Sequence, residues 1–279
     1  MSRIPAELRS WFFGAADPAP AQSARADDGA IVVLRATERT PANERDPGRE
    51  AVESDFTIDY VLARVLRDAG VEQWSGSIHD LNDRFGFSNF VLDPGGGGML
   101  IRKQLALSRQ IVGGAEVTRI PIVTRDSTDV VQGQFILTMY QRAAAGIDQT
   151  WTGLQGDDVL KDYTHAAFKQ ALDGGLPAFP KPLEEWTKEE FRGLGPEQVW
   201  TLKNLDAGRA QLLKIVQLTN PDGAPMFTTR NARQFKSSGR DDIAMAIIYA
   251  YLAFVVWLRM GGAAQEGGGL GDEDHGMGW

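Results

Sequence analysis

The longest apolar run in the chain covers residues 243–258 and comes directly after Asp241 and Asp242. A helix needs about 20 apolar residues to cross the hydrocarbon core of a bilayer, and this run is shorter than that. A helix that is apolar all round must be surrounded by protein. We therefore expect a buried core helix at 239–260, rather than a membrane span, at the end of the folded region.

Three β runs in the first quarter of the chain predict an antiparallel meander. Residues 11–15 are apolar and stop at Asp17-Pro18, residues 30–34 read "AIVVL", and residues 56–66 alternate in part. The charged stretch 38–54 is expected to be a loop or a hairpin tip.

The middle of the chain alternates between strand and helix patterns. Residues 74–85 predict an amphipathic helix, and 89–92 predict a buried strand that ends at Asp93-Pro94. A helix at 99–107 and a strand at 118–123 follow. A strand–helix–strand order requires a parallel crossover, so the predicted fold class is α/β, a mixed sheet flanked by helices.

The last third is predicted to be mainly helical. Helix patterns cover 157–172 and 200–218, with an extended segment near Phe179-Pro180 between them. Residues 1–260 are expected to form one domain. The glycine-rich tail 261–279 has four carboxylates and no Lys or Arg, and we expect it to be disordered.

Composition restricts the chemistry that the chain can carry. It has no cysteine and three histidines, so a metal would be held by oxygen ligands and would be a hard cation such as Mg²⁺. The net charge of −8 argues against a simple nucleic-acid coat. A local basic group formed by Arg233, Lys236 and Arg240 is nevertheless interpreted either as a phosphate contact or as a solvated loop.

Aspartates stand at three places where the predicted elements meet. Asp17 and Asp93 each follow a short buried strand, and Asp241 and Asp242 open the last helix. Carboxylates at one edge of an α/β sheet can hold a divalent cation that offsets their repulsion. The alternative interpretation is ordinary: Asp-Pro is common in turns, and aspartates favour helix N-termini.

The order of these motifs resembles the C-terminal nuclease domain of the large terminase subunit of tailed bacteriophages, from about residue 11 to residue 260. The segments that carry the resemblance are "FFGAADPAP", "DDGAIVVLR", "IHDLNDRFGFSNFVLDPGGGG", "DDVLKDYTHAAFKQAL" with "PAFP", and "SGRDDIAMAIIYAYL". The resemblance implies an RNase H-like fold and an endonuclease that uses two Mg²⁺ or Mn²⁺ ions to cut concatemeric viral DNA. Met245 departs from the pattern, because the family often has an acidic residue there.

The resemblance also assigns site residues. Asp17 matches the first metal ligand and Asp93 the second, and either Asp241 or Asp242 matches the last, with a slight preference for Asp242. Both members of that pair are therefore candidate catalytic and metal-binding residues. A further ligand from Asp27 or Asp28 is the less favoured alternative to solvated turn residues.

The partners and the location follow from the resemblance alone. They are double-stranded DNA, the terminase ATPase domain, the small terminase subunit and the portal protein, in the host cytoplasm at the viral procapsid, with no membrane. The chain has no GxxxxGK[ST] phosphate loop, so we expect no ATPase activity from it. The run of glycines at 95–98 is expected to allow a close backbone approach near the metal site.

Other interpretations remain open at the level of sequence. The chain could be a non-catalytic module that docks DNA or the portal protein, or another RNase H-like nuclease such as a resolvase. We expect His165 to be a structural residue in a helix, His79 to be exposed on a helix, and His275 to belong to the tail. The sequence does not decide whether Trp151, Trp186 and Trp200 lie in the core or on the surface.

Overall fold

The computed structural model describes most of the chain, namely residues 8–19, 29–40, 49–93, 97–112, 114–124, 134–139, 157–219, 225–229 and 242–261. The predictions for Asp241, for the pair Asp27 and Asp28, for the basic group and for the tail 262–279 lie outside these residues.

Eleven strands and six helices are described. The strands are β1 (Ser10–Asp17), β2 (Gly29–Glu38), β3 (Phe56–Leu66), β4 (Phe87–Leu92), β5 (Arg109–Val112), β6 (Ala115–Thr118), β7 (Ile122–Thr124), β8 (Gln134–Met139), β9 (Pro177–Ala178), β10 (Ile215–Thr219) and β11 (Pro225–Thr229). The helices are α1 (Val71–Phe85), α2 (Gly98–Leu105), α3 (Asp157–Asp173), α4 (Lys188–Arg192), α5 (Pro196–Leu212) and α6 (Asp242–Arg259). Short 3-10 turns lie at Glu53–Asp55 and Leu183–Glu185.

The centre of the fold is a seven-stranded mixed sheet with the order β7-β8-β4-β1-β2-β3-β9. Strands β1, β2 and β3 form the predicted antiparallel meander. On the other side of β1, strands β4, β8 and β7 add in parallel. The predicted α/β class, a meander followed by parallel strands and flanked by helices, is confirmed.

Helix α6 lies in the larger of the two hydrophobic cores. Residues 243–258 are all buried, and the helix contacts β1, β2 and β4 on one face of the sheet. Its indole Trp257 lies against Trp11 and Phe13, with ring centroids 5.1 and 5.2 Å away. Among the described residues, α6 alone is long and apolar enough to cross a membrane, and here it is enclosed by the fold. The predicted core helix is confirmed.

Helices α1 and α2 cover the opposite face of the sheet. Trp74, Ile78 and Leu81 of α1 are buried with Phe90 of β4 and Ile101 of α2 in a second core cluster. The sheet therefore has apolar cores on both faces, which explains why β2 and β4 read as nearly continuous apolar runs.

Two predicted elements were wrong in their extent. The single strand expected at 118–123 is two strands, because Thr118 ends the β5–β6 hairpin and Ile122 begins β7. Between them stands Pro121, which cannot donate a ladder hydrogen bond. The helix expected at 200–218 begins earlier, with Pro196 at its first turn, and ends at Leu212.

Candidate metal centre at the carboxyl ends of β1 and β4

Parallel pairing of β1 with β4 brings Asp17 and Asp93 to the same edge of the sheet. Ala16 is the register partner of Leu92, so the two aspartates occupy the next position on neighbouring strands. The backbone N–H of Asp93 donates to the carbonyl oxygen of Ala16 over 3.0 Å. The pairing continues to the acidic positions themselves.

Both aspartates continue the row of side chains that faces α6. Phe13 and Ala15 of β1 and Val91 of β4 are buried in the core cluster that contains α6. Successive residues of a strand alternate between faces, so Asp17 and Asp93 fall on the α6 side. Both are half-buried, at the point where the apolar core gives way to solvent.

A buried tyrosine confirms this orientation for Asp93. The hydroxyl of Tyr249 donates to Asp93 Oδ2 over 2.9 Å, and the tyrosine is 2% exposed. The sequence analysis missed this residue. A tyrosine inside an apolar helix could have indicated it, because a buried tyrosine hydroxyl usually has a hydrogen-bond partner.

Helix α6 points its N-terminus at the carboxyl ends of β1 and β4. Trp257, near its end, lies against Trp11 at the beginning of β1, whereas Tyr249 reaches the end of β4. Asp242 is the first residue of α6 and is half-buried. It lies seven residues before Tyr249, two helical turns away on the same face. The N-terminus of α6, which begins at Asp242, is therefore directed toward the same edge of the sheet.

The described carboxylates do not form a complete metal cage. Among the described residues, no group of three or more Asp, Glu or His side chains stands close enough to hold a metal ion. Two carboxylates on adjacent strands fit a hard cation in the type of donor, and a third would have to come from the beginning of α6. Asp241 lies outside the described residues, so the choice between Asp241 and Asp242 stays a prediction.

Two glycines allow the close backbone approach that the edge requires. A Cβ on Gly98 would lie 1.8 Å from the carbonyl oxygen of Asp93. A Cβ on Gly29 would lie 2.7 Å from the carbonyl oxygen of Asp17 and 2.5 Å from Trp74 Cζ2. Real Cβ contacts are not this short, so a side chain at either position would displace the strand end that carries an aspartate.

The two described histidines are both buried. His165 is 4% exposed in α3, as expected of a structural residue. The prediction that His79 is exposed was wrong, because its side chain is 2% exposed. Its hydrogen-bond partner lies in the β5–β6 hairpin, which the sequence analysis did not predict: Gln110 Nε2 donates to His79 Nε2 over 2.7 Å.

A groove of about 540 Å³ lies at the same edge, two strands from Asp17. Ala30 pairs with both Asp17 and Val65, and Val65 lines the groove together with residues of α5. Trp200, which the sequence left undecided, is 61% exposed there. The carboxylate of Glu197 accepts hydrogen bonds from Arg64 and Arg84, and the Arg84 bond is the first cause that lowers the Glu197 pKa. Glu197 therefore pairs with both arginines, where an external anion such as a phosphate would otherwise bind.

No protein-family model and no curated protein matches the chain. Among solved structures, it is similar to the nuclease domain of the large terminase subunit gp2 of bacterial virus Sf6, with 12% identity and a TM-score of 0.46 over 88% of this chain and 89% of that one. It is also similar to the large terminase nuclease from thermophilic phage G20c with bound magnesium, with 13% identity and a TM-score of 0.44 over 88% and 83%. A mutant of the Sf6 nuclease domain with manganese gives 12% identity and a TM-score of 0.46 over 86% and 87%. Terminase nucleases are the family that the sequence motifs resemble, but similarities of this size leave the activity to be argued from the residues of this chain.

Proposed function

We propose that the chain is a metal-dependent endonuclease that cuts concatemeric viral double-stranded DNA during genome packaging. The observation that carries the proposal is the adjacency of Asp17 and Asp93 at one edge of the sheet. Asp17 and Asp93 end neighbouring parallel strands, and α6 directs its acidic first turn toward them. Crevices at the carboxyl ends of parallel strands are where open α/β sheets bind ligands.

Asp17, Asp93 and one of Asp241 and Asp242 would hold the cation. The donor set is all oxygen, which suits Mg²⁺ or Mn²⁺. Two such ions, when bound, supply charge neutralisation, an activated water and stabilisation of the leaving oxygen in phosphodiester hydrolysis. The residues of this chain fix the strand ends, exclude water on the core side and hold the Asp93 carboxylate through Tyr249.

The remaining assignments extend the same proposal. The partners would be DNA, a terminase ATPase domain, the small terminase subunit and the portal protein, at the procapsid in the host cytoplasm. The basic residues Arg233, Lys236 and Arg240 directly precede the last acidic motif in sequence. They are proposed as contacts to DNA phosphates, which position a duplex without reading its sequence.

Plasmid cleavage tests the proposal directly. We expect the wild-type chain to nick and linearise supercoiled plasmid with Mn²⁺ or Mg²⁺ and to be inactive with EDTA. Asp17→Asn and Asp93→Asn should each reduce the rate at least 100-fold. Between Asp241→Asn and Asp242→Asn, the variant with the larger loss identifies the third ligand.

Asp173→Asn is the matched control for these variants. Its carboxylate lies at the exposed end of α3 and pairs with Lys169 over 2.6 Å, away from the sheet edge. This variant should cleave at the wild-type rate. Cleavage that persists in Asp93→Asn, or that survives EDTA, would reject the proposed site.

One observation favours a second function. The acidic net charge of −8 suits a non-catalytic module that docks the portal protein or DNA. In that case, the wild-type chain would fail to cleave with either metal, while its binding of DNA or portal protein would be the same in Asp17→Asn.

A further inference from the structure

We infer that Tyr249 is a positioning residue that holds the Asp93 carboxylate in its orientation at the candidate metal centre. The inference rests on the proposed function, because it gives a role to a side chain that touches a proposed ligand rather than the cation. Its basis is the hydrogen bond of 2.9 Å from the Tyr249 hydroxyl to Asp93 Oδ2.

The surroundings of Tyr249 are apolar, so its hydroxyl is the group that distinguishes it from a phenylalanine that would only pack. The ring is 2% exposed and lies in the core cluster of α6, among residues such as Phe254 that have no polar atom on the side chain. A phenylalanine would fill nearly the same volume. A tyrosine in such a place needs an acceptor for its hydroxyl, and here the acceptor is a carboxylate at the edge of the sheet.

The position of Tyr249 on α6 links the two halves of the candidate site. Asp242 lies two turns earlier on the same helix face, and Asp93 ends β4. The hydrogen bond therefore ties the helix that brings the last acidic motif to the strand that carries the second one. It also restricts rotation of the Asp93 carboxylate before any cation binds.

Hydrogen-bond partners of metal-ligating groups affect metal affinity by about 10- to 100-fold when they are removed. We expect Tyr249→Phe to weaken Mn²⁺ binding by about 10-fold or more, measured by isothermal titration calorimetry on the whole chain without DNA. Plasmid cleavage at subsaturating Mn²⁺ should fall in proportion, and should recover in part when Mn²⁺ is raised.

Tyr60→Phe is the matched control. Tyr60 is also buried in the same core, and its hydroxyl donates to the backbone carbonyl of Ile247 on α6 over 3.1 Å, whereas none of the described acidic motifs accepts from it. Both variants lose one buried phenol hydroxyl from the same helix interface. Mn²⁺ affinity should change less than twofold in Tyr60→Phe, even where thermal stability falls in both variants.

A double variant separates positioning from packing. If Tyr249 acts through Asp93, then Tyr249→Phe adds no further loss of Mn²⁺ affinity once Asp93→Ala, which removes the acceptor, is present. An unchanged affinity in Tyr249→Phe, or an equal loss in Tyr60→Phe, overturns the inference. The proposed function fails in a different way, since Asp93→Asn itself would then bind Mn²⁺ like the wild-type chain.

Discussion

His79 shows at the scale of one residue how burial sets a charge state. Its ring lies between α1 and the β5–β6 hairpin, where Gln110 Nε2 donates to His79 Nε2. That nitrogen can accept only when it carries no proton. Burial, and after it the nearby Arg119, lower the pKa of His79 to about 4, although the carboxylates of Asp83 and Asp80 act in the opposite direction. The folded protein thus holds this histidine neutral.

The stability of the protein should therefore decrease between pH 6.5 and pH 4. In this window the unfolded chain binds a proton at His79 and the folded chain does not, so the free energy of unfolding rises with pH and levels off above about 6.5. His79→Gln, which retains an amide beside Gln110, should lose on the order of 2 kcal/mol of this dependence. Urea unfolding of the wild type and the variant at pH 7 and pH 4.5 measures it. An equal change in the free energy of unfolding between these two pH values in both proteins would contradict the assignment.

Whether a feature of a single residue could be predicted depends on how far away in sequence its contacts lie. The shared sheet edge of Asp17 and Asp93 was predictable, because each follows its own strand and the two strands are parallel. The partner of Asp93 is Tyr249, 156 residues away, and no local pattern indicates which strand end a core tyrosine reaches. His79 was misjudged for the same reason, since the hairpin that covers it lies 31 residues later.

At the scale of elements, α5 and α6 approach closely enough that one position must be glycine. A Cβ on Gly208 would lie 2.5 Å from Ile247 Cδ1 and 2.9 Å from Ile243 Cγ2. In sequence, a glycine inside a helix pattern indicates only reduced helix propensity. The contacts of Gly208 show that it lets α5 pack against the first turns of α6, beside Asp242.

Gly208→Ala should destabilise the protein by about 1 kcal/mol. Alanine gains about 1 kcal/mol over glycine in a helix interior, whereas overpacking a core costs about 1 to 3 kcal/mol, so the clash prevails. Gly76→Ala in α1 is the matched control, since nothing lies within 4 Å of its Cβ. That variant should stabilise by up to about 1 kcal/mol. Thermal unfolding of both tests the pair, and two changes of the same sign would contradict the packing argument.

The presence and order of elements were predictable where an apolar pattern is strong and turn or helix-start residues mark its ends. The meander and α6 have such patterns, and the structure confirms them. Residues 215–218 were predicted to end a helix, but residues 215–219 pair with β11 as a strand. A five-residue run such as "IVQLT" fits both periods, and only its hairpin partner decides between them.

At the scale of the whole molecule, the fold concentrates like charges at one edge of the central sheet. Asp17 and Asp93 are adjacent, and the first turn of α6 is directed toward them. Neighbouring carboxylates repel each other, and a cation bound between them offsets that repulsion. A ligand that binds only the folded state stabilises it by about 2.7 kcal/mol at a concentration 100 times its dissociation constant.

Mn²⁺ at that excess should therefore raise the melting temperature of the wild-type chain by about 5 °C, given its length. Asp93→Asn should show almost no increase, while its metal-free stability should equal or exceed that of the wild type. The neutral amide removes one like charge, and its oxygen can still accept from Tyr249. Asp173→Asn should respond to Mn²⁺ like the wild type, because that carboxylate is paired with Lys169 on the surface of α3. If the melting temperature does not change with Mn²⁺ at concentrations that support cleavage, the ions bind at a place other than this edge.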